Sequence, residues 1–284
     1  MDSKKYFTHN NLILDGLRIP IFIISLKEDS KRRKELLKFL PSKVVKNYFK
    51  AIDMRYKNRR IIDSYCNNKK VLKKYKRKLK PAEVGLWLTQ MQIYKYLIKK
   101  NISLALIFED DVVVKYENWK IELKLILEEI KCLGINKAIL CNLGVSNNNF
   151  RRKKILINKY FLKFLKKLCI LDLKKSNQKM AHSFLITLQA AKNIVNTNKK
   201  ISCVNDDWKV FNNQKCFDYF LVSKKIFKQN KLFKSHLDNY KDLNQSKFYK
   251  INKFYLIIFN FVKSVICVFY KWFNFEVISE NKNN

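Results

Sequence analysis

Leu104-Ala105-Leu106-Ile107-Phe108-Glu109-Asp110-Asp111 runs five apolar residues directly into three carboxylates. An unbroken apolar run suits a strand buried on both faces, so the acids are expected where that strand emerges at the carboxyl edge of a sheet. Open α/β sheets bind their ligands at this edge. Adjacent carboxylates repel one another unless a cation, a hydrogen-bond donor or water compensates. A hard divalent ion, held by one or two carboxylates together with substrate phosphates, fits such a strand end. An acidic cap leading into a solvated loop is the simpler alternative.

The flanking sequence supplies the rest of an α/β pattern. Upstream, Ile19-Pro20-Ile21-Phe22-Ile23-Ile24-Ser25-Leu26 reads as a first buried strand, with Pro20 tolerated near its start. Asp29 or Ser30 then caps a helix carrying Leu36, Leu37, Phe39 and Leu40 up to Pro41. Arg32 and Arg33 fall in the first turn of that helix, where the macrodipole disfavours cations. Either they form an exposed basic face, or one of them forks onto an anionic group such as a diphosphate. Residues 44–52 are expected as a second strand, and 57–80 as a surface helix or a connection. Pro81-Ala82-Glu83 opens a long helix with Pro in its first turn. Strand, helix, strand in this order predicts a doubly wound α/β domain.

Beyond the acids, Val112-Val113-Val114 continues the apolar character, and 119–133 is amphipathic with helical period. Residues 137–143 and 184–187 read as further strands, the latter feeding a helix over 189–195. Residues 151–175 alternate basic clusters with apolar residues and have no definite reading. Asn205-Asp206-Asp207-Trp208 offers a carboxylate base beside an indole that could support a sugar, or simply a capped helix start.

Composition narrows the class. The 284 residues carry 60 Lys and Arg against 23 Asp and Glu, a formal charge of +37, with four Gly and three Pro. That is a folded chain with a strong attraction for anionic partners. The basic residues are spread along its length, and zinc-finger spacings, RNP-type motifs and Gly-rich RNA-binding segments are absent from the sequence, so charge by itself does not select a partner. Seven scattered cysteines without a C-x-x-C pair suit free thiols in a reducing compartment. The first 15 residues have no apolar signal region, so a cytoplasmic location is expected.

The C-terminal stretch 246–284 is the most periodic. Lys253, Asn260, Ser264 and Lys271 share one helical line, while Phe254, Leu256, Ile258, Phe259, Val262, Ile266, Phe269 and Trp272 cover the remainder. This pattern suits a helix lying in an anionic membrane interface, and Lys263 and Lys271 argue against a spanning one. A terminal helix packed on the catalytic core or on another subunit is the alternative.

Taken in order, Ile23-Ile24-Ser25-Leu26 with Arg32-Arg33, Pro81-Ala82-Glu83-Val84-Gly85, and Ile107-Phe108-Glu109-Asp110-Asp111 resemble glycosyltransferase family 25, the lipooligosaccharide-biosynthesis transferases. His182-Ser183-Phe184-Leu185-Ile186 and Asn205-Asp206-Asp207-Trp208 extend the likeness to about residue 210. Where the family has Ser-His in the helix after the Glu, this chain has Thr89-Gln90, and Gln90 can hydrogen-bond a sugar or phosphate but cannot take up a proton as His does.

The resemblance, which covers about residues 19–210, implies a GT-A-like, Rossmann-related α/β fold; the catalytic domain is expected over 19–245, between a polar leader at 1–18 and the amphipathic helical extension read from periodicity at 246–284. It implies an inverting hexosyltransferase that uses UDP-galactose or UDP-glucose, with a divalent metal, manganese or magnesium. The acceptor would be a lipid-linked oligosaccharide or another cell-surface glycan; nucleic acid is not expected as a partner because it would leave these ordered signatures unexplained, and the amphipathic C-terminal stretch is what suggests the inner face of the plasma membrane. A homologue that binds glycan or membrane and has lost catalysis is the alternative. By residue, the resemblance assigns Asp111 and Glu109 to the metal, and Arg32, Arg33, Glu83, Glu109 and Asp110 to the donor. Asp206 or Asp207 is the base, and Gln90, His182 and Trp208 face the acceptor.

Overall fold

The computed structural model describes residues 7–8, 11–14, 16–144, 168–170, 181–222, 225–230 and 232–233. The amphipathic stretch 246–284 and nearly all of 151–175 lie outside the described residues.

The acidic strand forms as expected, as β5 (Leu104–Glu109). Its partner on one side is β3 (Leu17–Ser25), parallel, with Ile23 opposite Phe108 and Ile24 opposite Glu109. On β5's other side lies β9 (Ser183–Thr187), antiparallel, followed by β7 (Ile139–Asn142), β10 (Asp218–Val222) and β8 (Leu168–Ile170). β7 and β10 are parallel, and β8 is antiparallel to β10. The sheet is therefore mixed rather than a uniformly parallel doubly wound one, because β9 runs back from the carboxyl edge between two strands pointing the other way.

Both faces of the sheet are covered, which is what the continuous apolar run demands. Ala105 and Ile107 of β5 point into one core, while Leu104, Leu106 and Phe108 point into the other. The first core is closed by α5 (Pro81–Lys99), α7 (Leu188–Thr197) and α8 (Trp208–Asn213), with α3 (Arg59–Tyr65) and α4 (Asn68–Tyr75). The second is closed by α1 (Ser30–Leu36), α2 (Ser42–Lys46) and α6 (Trp119–Leu133).

Two sequence expectations are corrected. Residues 44–52 hold α2 and only a two-residue strand, β4 (Phe49–Lys50), instead of one long strand. The Pro41 carbonyl accepts from the amides of Val44 and Val45, closing a helical turn that buries both valines. The polar leader is not featureless: β1 (Phe7–Thr8) and β2 (Asn11–Leu14) extend the sheet, with β2 antiparallel to the start of β3. Gly16, at φ +74°, sits in the connection between β2 and β3, and Leu12 and Leu14 alternate into the core. The basic segment 57–80 is ordered as α3 and α4, capped by the Asn58 and Asn67 side chains. A two-stranded ribbon of β6 (Val112–Val114) and β11 (Phe227–Gln229) completes the fold. Among the described residues, no helix is long and apolar enough to cross a membrane.

Candidate active site

The ends of β3, β4 and β5 open at one edge onto a cavity of about 430 Å³. The parallel register that sets Ile24 beside Glu109 brings the next residues, Ser25 and Asp110, together, and Ser25 Oγ donates to Asp110 Oδ2 at 2.6 Å. Arg32, arriving on the first turn of α1, bridges the acids: Nε lies 2.8 Å from Asp110 Oδ1 and Nη2 lies 2.8 Å from Asp111 Oδ2. A cation in a helix's first turn costs about 0.3–1 kcal/mol against the dipole. Rupturing a buried ion pair costs about 3–5 kcal/mol, so the carboxylates decide where Arg32 sits. Gln229 on β11 donates to Asp111 Oδ2 at 2.7 Å.

The acids remain under-compensated. Burial, followed by the charges of Asp111, Asp206 and Asp110, raises Glu109's carboxyl well above the usual range, although Arg32 opposes this. Burial also pushes Asp110 up to about 6, against the pull of Arg32 and the Ser25 hydroxyl.

Arg33 has a different task. Its guanidinium donates to Ser25 Oγ at 2.6 Å, to the Leu26 carbonyl and to the Lys27 carbonyl at 2.9 Å, and stacks 4.0 Å from the centre of the Tyr48 ring. It ties down the turn after β3 and does not line the cavity. Of the expected arginine pair, Arg32 reaches the cavity and Arg33 braces its wall.

The helix α5 approaches that wall closely. A Cβ on Gly85 would collide with the Ile52 carbonyl oxygen, and one turn later Thr89 Oγ1 accepts from the Ile52 amide at 2.8 Å while donating to the Gly85 carbonyl. Gly85 and Thr89 thus hold the segment after β4, which carries cavity residues Asp53 and Arg55. Gly85→Ala is expected to lower stability by about 1–3 kcal/mol through overpacking, read as a shifted urea midpoint. An unchanged midpoint would mean that the wall yields freely.

Glu83 accepts from the Lys80 amide at 2.7 Å and receives both ends of the Arg77 guanidinium, at 2.7 and 2.6 Å. Glu83 and Arg77 both line the cavity. Gln90 is buried outside the cavity lining, its Oε1 receiving Tyr94 Oη at 3.3 Å. Replacement of Ser-His by Thr89-Gln90 therefore leaves the lining acids and arginines in place.

The two adjacent aspartates are separated by their surroundings. Asp207 receives Tyr75 Oη and lies 2.8 Å from Lys74 Nζ, both on α4. Tyr75 Oη also accepts from the Val204 amide at 3.3 Å, so one phenol grips both ends of the short loop 204–207. Between those grips Asn205 and Asp206 line the cavity. Trp208 is 1 % exposed, among Phe184, Phe211, Phe217 and Tyr219. Its indole is part of the core and presents no platform to a sugar.

His182 reaches the cavity because β9 is antiparallel: the strand starts at the edge where β5 ends, and the Glu109 amide donates to the His182 carbonyl at 2.9 Å. Burial pushes the imidazole down to about 4, with Asp111 opposing, so the ring is neutral near pH 7. Gly144 is needed beside it, since a Cβ there would collide with Nε2.

Several lining residues were not singled out from the sequence. Arg55 forks onto Asp53 at 2.8 and 2.6 Å and also reaches Glu28. Arg77 forks onto Glu83, and Gln229 arrives from beyond residue 210. Arg55 and Arg77 lie in a stretch so rich in Lys and Arg that no single one stands out. Asp53, two residues before Arg55, was the available signal.

The cavity therefore brings together Arg32, Glu83, Glu109, Asp110, Asp111, His182 and Asp206, and leaves out Arg33, Gln90, Asp207 and Trp208. A divalent ion fits this chemistry. Four carboxyl groups crowd one another, Asp111 Oδ1 is buried without a hydrogen-bond partner, and the oxygen donors are those a hard cation takes. Among the described residues no cluster of three ligating side chains stands ready, so such an ion would draw further oxygens from substrate.

A mixed α/β sheet with an acid-lined cavity at its carboxyl edge is compatible with a Rossmann-like glycosyltransferase. The sequence model for glycosyltransferase family 25 (LPS biosynthesis protein) matches residues 18–210, and the chain belongs to that family. No curated protein matches it.

Proposed function

We propose that the chain is an inverting, GT-A-type hexosyltransferase that moves galactose or glucose from a UDP-sugar to a lipid-linked oligosaccharide or other cell-surface glycan. The observation that carries this reading is the placement of Asp206 in one cavity with Glu109, Asp110 and Asp111, beside Arg32, Arg55 and Arg77. Inverting displacement needs a base in line with the leaving group, and Asp206, which reaches the cavity from the loop before α8 and not from the end of β5, is the carboxylate assigned to that work. It takes the proton of the acceptor hydroxyl as the new glycosidic bond forms and the bond to the diphosphate breaks.

Charge develops on the departing diphosphate, and fixed cations there lower the barrier. Arg55 and Arg77 supply them from the cavity wall. Arg32, which bridges Asp110 and Asp111, holds those two acids in place at the cavity edge. A divalent ion, manganese or magnesium, bound by Asp111 and Glu109 would neutralise the diphosphate oxygens as they are released. His182, neutral near pH 7, is available to hydrogen-bond a sugar hydroxyl. In this reading the tail at 246–284 rests on the anionic inner leaflet, where a lipid-linked acceptor is presented.

The test is transfer or hydrolysis of UDP-galactose, UDP-glucose and their N-acetyl forms, with and without manganese. One of these donors is expected to turn over, and Asp111→Ala is expected to remove that turnover while the protein stays folded. Full activity in the variant would refute the assignment. Inertness of the wild-type protein toward every donor would favour a binding homologue.

A further inference from the structure

Basic residues occur along the whole chain, but their density differs between the described surfaces. Residues 57–80 carry eleven Lys and Arg against one Asp, whereas 115–137 carry five Lys against four Glu. This basic stretch is α3, α4 and the turn leading into α5.

Its inward face is accounted for: Ile62, Val71 and Leu79 are buried in the core. Its backbone is pinned as well, since the Asn67 amide donates to the Ile201 carbonyl at 2.8 Å and the Ile201 amide to the Tyr65 carbonyl at 3.0 Å. The outward face therefore owes nothing to core packing. It presents Lys57, Arg60, Lys69, Lys70, Lys73 and Lys76, none of them ion-paired to an acid among the described residues.

Large apolar side chains stand among these cations. Tyr56 is 86 % exposed, Ile61 47 %, Tyr65 42 % and Leu72 42 %. Solvated charge alone needs no such residues. A surface that only neutralised an anionic polymer would use lysine and arginine without exposed isoleucine and leucine. Cations interleaved with aliphatic and tyrosine side chains match a lipid interface, where the apolar groups enter the acyl boundary and lysines remain at the headgroups.

From this we infer that the α3–α4 face is a membrane-docking surface for an anionic phospholipid leaflet, distinct from any contact made by the tail. The surface leads straight to the cavity: Arg77, just beyond α4, lines it, and Lys74 and Tyr75 on α4 hold the loop that carries Asp206. Docking here would bring the cavity alongside the leaflet. The inference does not depend on the identity of the transferred sugar.

The experiment is sedimentation of the full chain with vesicles of phosphatidylcholine, with and without phosphatidylglycerol. Two variants are compared with wild type: Lys69→Gln, Lys70→Gln and Lys73→Gln together, and Ile61→Ser with Leu72→Ser. Each lysine near an anionic surface strengthens partitioning about 5-fold, so the triple variant is expected to lose roughly 100-fold on anionic vesicles. The apolar variant is expected to lose about 10-fold, in line with removing two partly inserted aliphatic side chains. Unchanged binding in both variants would overturn the inference, leaving the tail as the anchor. It is equally overturned if the apolar variant binds normally and the triple variant loses soluble polyphosphate and vesicles alike, which would make the face a polyanion site. Absence of any wild-type binding to anionic vesicles overturns it outright.

Discussion

Asp206→Asn is expected to lower turnover by about 10²–10⁴-fold, the usual contribution of a positioned base, while donor affinity and the urea midpoint stay near wild type. The amide keeps the shape of the carboxylate and cannot accept the acceptor's proton. Its neighbour provides the contrast. Asp207 is committed to Lys74 and Tyr75, so Asp207→Asn weakens the clamp on the loop and lowers stability first and turnover second. Tyr75→Phe removes both grips and should behave as Asp207→Asn does, with a reduced kcat that retains the wild-type pH profile. Steady-state kinetics with urea denaturation separate the two classes. Normal turnover in folded Asp206→Asn would remove the base assignment, and an equal loss of activity at unchanged stability for Asp207→Asn would transfer it.

Arg32→Ala has the second large effect, and its size depends on pH. The side chains of Arg32, Asp110 and Asp111 are 11 %, 7 % and 3 % exposed, so removal of the guanidinium leaves two carboxylates buried without their cation. The expected loss near neutrality is about 3–5 kcal/mol. Asp110 already has its folded-state value raised to about 6, above its unfolded value. The native state therefore binds this proton more tightly than the unfolded chain does. Its contribution to stability is present at low pH and is lost as pH rises through about 6. Without Arg32, which holds Asp110 and Glu109 down, both acids bind protons more tightly still. The midpoints of variant and wild type should converge as pH falls from about 8 to about 5 and separate on the return. A gap independent of pH would show that Arg32 acts through packing alone.

Much of this was legible in the sequence because the governing patterns are local. The apolar run 104–108 ending in acids specified a two-faced strand and its carboxyl edge. The helix Trp119–Leu133 was recoverable to the residue from its period, and Pro81 marked the start of α5. Failures arose where a distant partner decides. Residues 44–52 are rich enough in β-branched and aromatic side chains to suggest a strand, but β3 has room for only two paired residues there. The β2 hairpin was legible and was passed over: Leu12-Ile13-Leu14 is a short apolar run, and the Asp15-Gly16 pair that follows it is a hairpin-turn signal.

The site divides in the same way. Glu109, Asp110 and Asp111 announce themselves by adjacency, and Asp206 and Asp207 do too, but nothing local tells the two members of the second pair apart. The difference comes from Tyr75, 132 residues before Asp207. Arg32 and Arg33 are likewise distinguished only by what each meets across the turn. Trp208 looked available because it adjoins two acids, yet the first residue of a helix can point inward as readily as outward.

The antiparallel course of β9 bears on how readily this scaffold could be altered. The chain leaves β7 at Gly144 and returns at Ala181, and these points are neighbours: the Leu143 amide donates to the Ser183 carbonyl at 3.0 Å. Because the sheet fixes the two ends together, doubling the length of chain between them costs only about 0.6 kcal/mol in closure entropy. Insertions and deletions on either side of the three-residue edge strand β8 can therefore accumulate with little loss of stability. They begin and end beside His182, at the rim of the cavity, and leave the acids beneath it in register.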